Sequence, residues 1–200
     1  RADLAKADWV SLKFDSVVPE VWRRVNRPRS ILRLEAILDG AKEFARSFNG
    51  TLATETMLVS GINDHEESVR PTAEFVAELE ADISYLSIPT RPPAEKWVQP
   101  PSEQALAGAF AVVSEILPKV EYLIGYEGNE FASSGDVAED LLSITAVHPM
   151  RTDAVGAMLR RTSNEWSVVE DLVESGRLAE VSYGQQTFFL RKFSGAGRSA

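Results

Sequence analysis

The side chains best placed for chemistry are charged groups within two otherwise apolar segments. Lys13 and Asp15 end the segment Trp9–Asp15, and Glu55 interrupts the segment Leu52–Val59. Removing an unpaired charge from water costs several kcal/mol, out of a total folding free energy of about 5–15 kcal/mol. We therefore expect these groups to pair with one another, to face a ligand cavity, or both. A purely structural ion-pair cluster remains an open alternative.

The elements around these residues predict where they lie. The segment Leu52–Val59 is rich in apolar and β-branched residues, which favours a strand, and Ser60–Asp64 is typical of a tight turn. A helix-period stretch, Ser68–Leu79, follows the turn. Strand, turn and helix make half of a βαβ unit, and ligands of such units lie at the carboxyl ends of the strands.

Alternation in the first segment predicts a second strand. Val10, Leu12 and Phe14 share one face, and the opposite face carries Trp9 and three polar residues, Ser11, Lys13 and Asp15.

The remaining pattern predicts an α/β protein with two parts. Residues 1–133 alternate strands and helices, which predicts part of a parallel (β/α) barrel. Residues 134–193 give three short helices and a hairpin, the order of a small winged-helix-like α+β domain. Residues 194–200 are predicted to be a tail. The predicted elements are helices Pro19–Val25, Leu34–Phe48 and Ser102–Leu117, strands Ile83–Ile88 and Tyr122–Ile124, helices Val137–Ile144, Asp153–Arg161 and Glu165–Glu174, loop Glu127–Ser134, and hairpin Leu178–Tyr183 with Thr187–Phe193.

Composition excludes several classes of function. The chain has 200 residues, a formal net charge of −9 and no cysteine. The negative charge disfavours DNA and anionic membranes as main partners. Without thiolates, the chain alone has no ligands for a zinc–thiolate site or an iron–sulfur cluster. Because no apolar run or targeting segment is evident, we expect a cytoplasmic protein, and the initial Arg1 suggests that a preceding segment is absent.

Three segments together resemble the radical S-adenosylmethionine (radical SAM) iron–sulfur oxidoreductases. They are Asp8–Asp15 (DWVSLKFD), Glu55–Asp64 (ETMLVSGIND), and Ile88–Pro93 (IPTRPP) followed by Trp97. The segments are similar to the fourth, fifth and sixth strands of that family's partial TIM barrel, in the branch near tRNA-modifying and glycyl-radical-activating enzymes. The family's three-cysteine cluster motif has no counterpart here.

The resemblance implies the carboxyl-terminal portion of an enzyme that uses S-adenosylmethionine and a [4Fe–4S] cluster. Ser11 would lie near the cofactor's ribose and Glu55 near its methionine part. Lys13 and Asp15 would line the same cavity, and Arg91 would contact the substrate, either a small molecule or RNA. The portion would not be competent alone. Its partner would be the missing amino-terminal half or another protein.

Two other functions fit the sequence. One is a non-catalytic acidic module whose winged-helix part binds a protein partner. The other is a transcriptional regulator, which the carboxylates of the presumed recognition helix, Glu165 to Glu174, disfavour by repelling DNA. The lone His148 is interpreted as structural, and the scattered glycines form no dinucleotide or P-loop motif.

Overall fold

The computed structural model describes residues 3–123, 131 and 133–192. These residues divide into two compact units, the first containing 3–90 and 95–123 and the second containing 91–94, 131 and 133–192. The predicted domain boundaries at 133/134 and 193/194 stay predictions. The predicted strand residue Ile124, most of the predicted loop Glu127–Ser134 and the tail 194–200 lie outside the described residues.

The first unit is built on a four-stranded parallel sheet. Its strands are β1 (Trp9–Lys13), β2 (Thr51–Met57), β3 (Ile83–Ser87) and β4 (Val120–Leu123), in the spatial order β1-β2-β3-β4. Its helices are α1 (Pro19–Asn26), α2 (Leu34–Ser47), α3 (Glu66–Ala77) and α4 (Glu103–Ile116). Each strand pairs with the next strand of the chain, as in a (β/α) barrel and unlike a doubly wound sheet, whose strand order reverses. The predicted α/β fold class is confirmed.

The two faces of this sheet have different surroundings. One face packs on the helices, and its buried residues form a core with helical side chains: Val10, Phe14, Leu52 and Leu86 with Phe44, Val69, Val76 and Val113. Phe14 and Phe75 of α3 meet edge to face, with ring centroids 5.1 Å apart. The opposite face contains Ser11, Lys13, Glu55, Tyr85 and Ser87. The alternation of the sequence therefore separates a core face from a polar face, as predicted.

The second unit has the winged-helix-like order that the sequence predicts. Its elements are α5 (Val137–Thr145), β5 (Met150–Arg151), α6 (Thr152–Arg161), α7 (Ser167–Glu174), β6 (Leu178–Tyr183) and β7 (Gln186–Arg191). The strands form an antiparallel sheet in the order β5-β7-β6. A core around Leu141, Met158 and Phe189 joins the helices to this sheet.

Among the helices of the described residues, none is both long enough and apolar enough to pass through a bilayer.

Candidate functional site

The candidate site begins with one rung of the parallel sheet. The register pairs Lys13 of β1 with Glu55 of β2. The Lys13 ammonium lies 3.0 Å from Glu55 Oε1 and 3.1 Å from Asp15 Oδ1. The structure thus brings together the three ionisable side chains that the sequence singles out, at the carboxyl ends of their strands.

Ser87 extends this cluster to a third strand. It is the last residue of β3, and its hydroxyl donates a 2.7 Å hydrogen bond to Glu55 Oε1. Lys13 and Ser87 thus both donate to the same oxygen of the carboxylate, and Glu55 Oε2 makes no hydrogen bond within the part of the chain that the structure describes. The Glu55 side chain keeps 28% of its surface exposed. It is therefore a half-buried carboxylate with one oxygen available to a ligand.

Two opposing effects determine the ionisation of Glu55. Partial burial by itself would raise its pKa, because a charged form is less well solvated away from water. The hydrogen bond from Ser87 and the neighbouring Lys13 ammonium together outweigh burial, so the pKa of Glu55 lies below its ordinary value. The carboxylate is accordingly ionised at neutral pH and presents a negative charge beside the Lys13 ammonium.

Asp15 is held more tightly than Glu55. Its side chain is 2% exposed. Oδ1 accepts a 2.9 Å hydrogen bond from the Met57 amide, and Oδ2 accepts a 2.7 Å hydrogen bond from Asn26 Nδ2. With the Lys13 ammonium as a further partner, this carboxylate orients Lys13 and fixes the end of α1 to the sheet.

Asn63 fixes the turn that follows β2. Its side chain is buried and accepts a 2.7 Å hydrogen bond from the Val59 amide. Nδ2 donates to the carbonyl oxygens of Asp15 and Met57, at 2.7 and 2.8 Å. Gly61, which lies in the turn between Val59 and Asn63, has φ +64°, a conformation that glycine adopts without strain. These contacts hold the turn predicted at Ser60–Asp64 against the ends of β1 and β2.

Ser11 and Arg91 are placed differently from the cluster. Ser11 is exposed, on the same sheet face as Lys13 and one pleat earlier. Arg91 belongs to the second unit, where Nη1 lies 2.6 Å from His148 Nδ1. His148 also meets the Phe131 ring edge to face, with centroids 5.1 Å apart. A shared cavity containing Arg91 stays a prediction.

Sequence reasoning missed Ser87 and Asn26. Ser87 is one of two serines in β3, so only its position level with Met57, two residues beyond Glu55, could have indicated it. Asn26 directly follows the predicted helix Pro19–Val25 and is the last residue of α1, so nothing local indicates its contact with Asp15. Among the described residues, no group of three or more histidines, aspartates and glutamates is arranged to hold a metal ion. With an ammonium and a partly exposed carboxylate, the pair of Lys13 and Glu55 is suited to binding a charged ligand.

Sequence comparison finds relatives that are described as UPF0026 proteins. No family model matches the chain. A UPF0026 protein of Methanocaldococcus jannaschii is 38% identical over 193 residues, which is 96% of this chain and 60% of that protein. A UPF0026 protein of Synechocystis is 33% identical over 92 residues, or 46% of this chain and 34% of that protein. One from Helicobacter pylori is 23% identical over 93% of this chain and 58% of its own length.

The chain is thus similar to UPF0026 proteins and spans 60% of the length of the Methanocaldococcus relative. Among solved structures, a domain of pyruvate-formate lyase-activating enzyme from Bacteroides vulgatus overlaps 60% of this chain and 71% of that chain. The TM-score is 0.49 and the sequence identity 18%.

Proposed function

We propose that this chain forms one wall of the ligand cavity of a radical SAM enzyme whose cluster-bearing part lies outside these 200 residues. Three segments of the sequence resemble that family. The first contains β1, the second contains the end of β2, the third begins directly after β3, and these three strands are adjacent in the parallel sheet. The chain spans 60% of its Methanocaldococcus relative, which leaves a further segment of that protein to carry other functions.

The observation that carries the proposal is the arrangement of Lys13, Glu55 and Ser87. These side chains come from three neighbouring strands and meet at the carboxyl ends, on the face opposite the helices. A partly exposed ion pair such as Lys13–Glu55 contributes about 1 kcal/mol or less to folding, so stability alone gives little reason to place one on this face of the sheet. Carboxyl-end positions of parallel strands are where barrel enzymes bind their ligands.

The residues present fit S-adenosylmethionine and not the iron–sulfur cluster. The methionine part of this cofactor has an ammonium and a carboxylate, which the Glu55 carboxylate and the Lys13 ammonium complement. The Ser11 hydroxyl, one pleat away, is able to hydrogen-bond to a ribose. The chain has no cysteine, so it offers no thiolate for a [4Fe–4S] cluster. The cluster and cofactor would supply the radical chemistry, and these residues would bind and orient.

The test uses the longer protein, with the chain joined to the segment encoded upstream of Arg1. A three-cysteine motif in that segment is expected, and its absence would overturn the proposal. With the cluster reconstituted, the protein should form 5′-deoxyadenosine from S-adenosylmethionine. Glu55→Gln and Lys13→Met should weaken S-adenosylmethionine binding in equilibrium dialysis by about tenfold each, because each removes a charged hydrogen-bond partner.

The matched control is Glu74→Gln, which changes an exposed carboxylate of α3 with the same loss of charge. It should bind the cofactor as the unchanged protein does. If the Glu55 and Lys13 variants keep their circular dichroism spectra and bind S-adenosylmethionine normally, these two residues have no role in the cavity.

A second function, docking of a protein partner, is favoured by one groove in the second unit. The groove has a volume of about 460 Å³ and lies against α7 and the sheet. Trp166, 37% exposed, contacts Phe189 there, and Glu170, Glu174 and Glu180 form no ion pair within the described part of the chain. An apolar floor with acidic walls suits a basic, partly apolar segment. Trp166→Ala should weaken binding of a Lys/Leu-rich peptide, and equal binding would remove this function.

A further inference from the structure

We propose that a groove between α1 and α2 binds a phosphorylated small molecule. The groove has a volume of about 850 Å³. Four of its lining residues are arginines, contributed by the end of α1, the connecting loop and the start of α2: Arg23, Arg27, Arg29 and Arg33. Glu35 is the acidic residue of this lining. The walls of the groove are therefore strongly cationic in a chain whose formal net charge is −9.

Part of this positive charge is not compensated by the protein. Arg27 forms an ion pair with Glu95, and Arg23 lies 4.0 Å from Glu20. Arg29 and Arg33 form no salt bridge or side-chain hydrogen bond with any described residue. Like charges held close together repel, so an arrangement of this kind is stabilised when an anion enters between them.

The chemistry of the lining favours a phosphate group. Each guanidinium presents a planar set of N–H donors that matches two phosphate oxygens at once, and arginine remains charged at any physiological pH. Buried Trp22 and Leu34 contribute the apolar floor, and Leu32, 48% exposed, forms part of the wall. A ligand with a phosphate and an apolar or planar part would contact both kinds of surface.

The groove is anchored to the end of the sheet that carries the candidate site. Its loop follows Asn26, whose side chain donates the 2.7 Å hydrogen bond to Asp15. The connection from β1 to α2 leaves the sheet at the carboxyl end of β1, beside Lys13. The groove and the Lys13–Glu55 pair thus lie at the same end of one strand. The inference does not depend on the proposed function, because it rests on other residues.

A small ligand fits better than a nucleic acid strand. A net charge of −9 repels an extended polyanion along most of the protein surface, whereas one or two phosphate groups need only the local field of the groove. Binding of a nucleic acid strand is the alternative, and the experiment below tests it with an oligonucleotide.

The test is isothermal titration calorimetry on the 200-residue chain with pyrophosphate, succinate and a single-stranded oligonucleotide as probes. We expect pyrophosphate to bind, and Arg29→Gln and Arg33→Gln to weaken its binding by about tenfold or more each, as expected for losing a charge-assisted hydrogen bond. The control is Arg46→Gln, at the other end of α2 and outside the groove lining, which changes the net charge equally.

Several outcomes would overturn the proposal. They are no pyrophosphate binding at millimolar concentration, an equal loss of affinity in the Arg46 variant, and succinate binding as tightly as pyrophosphate. Tighter binding of the oligonucleotide than of pyrophosphate, lost in the same two variants, would overturn the small-molecule assignment. Because these arginines are exposed, the variants should keep the melting temperature of the unchanged chain, which circular dichroism checks.

Discussion

Asn63 Nδ2 donates a 2.7 Å hydrogen bond to the Asp15 carbonyl oxygen, joining the turn after β2 to the residue that follows β1. The two residues are 48 positions apart in the chain. Through this contact, one buried amide determines how the ends of two strands are held, and the Lys13–Glu55 pair lies directly beside them.

Replacing Asn63 with alanine should destabilise the first unit. The change removes three hydrogen bonds and leaves the buried Val59 amide without its acceptor. The cost of an unsatisfied buried group and the lost bonds is about 2–4 kcal/mol. Urea unfolding measures it. Asn49→Ala, at an exposed position, should change the free energy of unfolding by less than about 0.5 kcal/mol. Equal midpoints for the two variants would contradict the role of Asn63.

As the pH falls, the free energy of unfolding should decrease less in the Glu55→Gln variant than in the unchanged protein. The folded-state pKa of Glu55 is below its ordinary value, so its contribution to stability is complete above the unfolded-state pKa. That contribution is lost as the pH falls through the folded-state pKa. Between pH 6 and about pH 3, the unchanged protein should therefore lose more stability than the Gln variant. Urea unfolding across this range measures the difference, and parallel curves would contradict it. Glu74→Gln again serves as the control.

Two glycines should respond to alanine in opposite ways. A Cβ at Gly50 would lie 2.6 Å from the Asp8 carbonyl oxygen, which accepts the 2.8 Å hydrogen bond from the Thr51 amide at the start of β2. Gly50→Ala should therefore cost about 1–3 kcal/mol. A Cβ at Gly108, within α4, meets no atom within 4 Å. Gly108→Ala should stabilise by about 0.5–1 kcal/mol through helix propensity. Thermal unfolding compares the two, and a shift of the same sign would contradict this account.

The Asp140 carboxylate of α5 should titrate below its ordinary range. The hydroxyl of Ser134 contributes most to lowering its pKa, followed by the hydroxyl of Ser133, and the Ser134 amide also donates to it. In Ser134→Ala the pKa of Asp140 should rise toward its ordinary value, as followed by NMR titration of the carboxyl carbon. Ser143→Ala, at an exposed position of the same helix, should leave it unchanged. An unshifted value in Ser134→Ala would show that these contacts do not form in solution.

The order of elements follows from local patterns, and these are readable in the sequence. Alternation predicts β1, the helix-period stripe predicts α2, and Ser102 at the start of α4 caps that helix by accepting a 3.1 Å hydrogen bond from the Ala105 amide. At its carboxyl end, β1 is shorter than the alternation of the sequence predicts. The strand stops at Lys13, two residues before the predicted end, because Asp15 turns inward to accept from Met57 and Asn26.

The features that sequence reasoning missed depend on contacts between distant segments. β5 has two residues and directly follows Pro149, so no period identifies it, and it forms only by pairing with β7. Trp166 belongs to the predicted helix Glu165–Glu174, but in the structure it directly precedes α7, is 37% exposed and lines a groove. Ser87 gains its role only when β2 lies beside β3.

The position of β1 has a consequence for the behaviour of the isolated chain in solution. Among the described residues, β1 pairs with β2 alone, and Trp9 at its start is 53% exposed. One edge of this strand therefore leaves amides and carbonyls without strand partners, next to a large indole. At high protein concentration, we expect such an edge to pair with a strand of another molecule. Self-association that a matching added strand suppresses would be its signature.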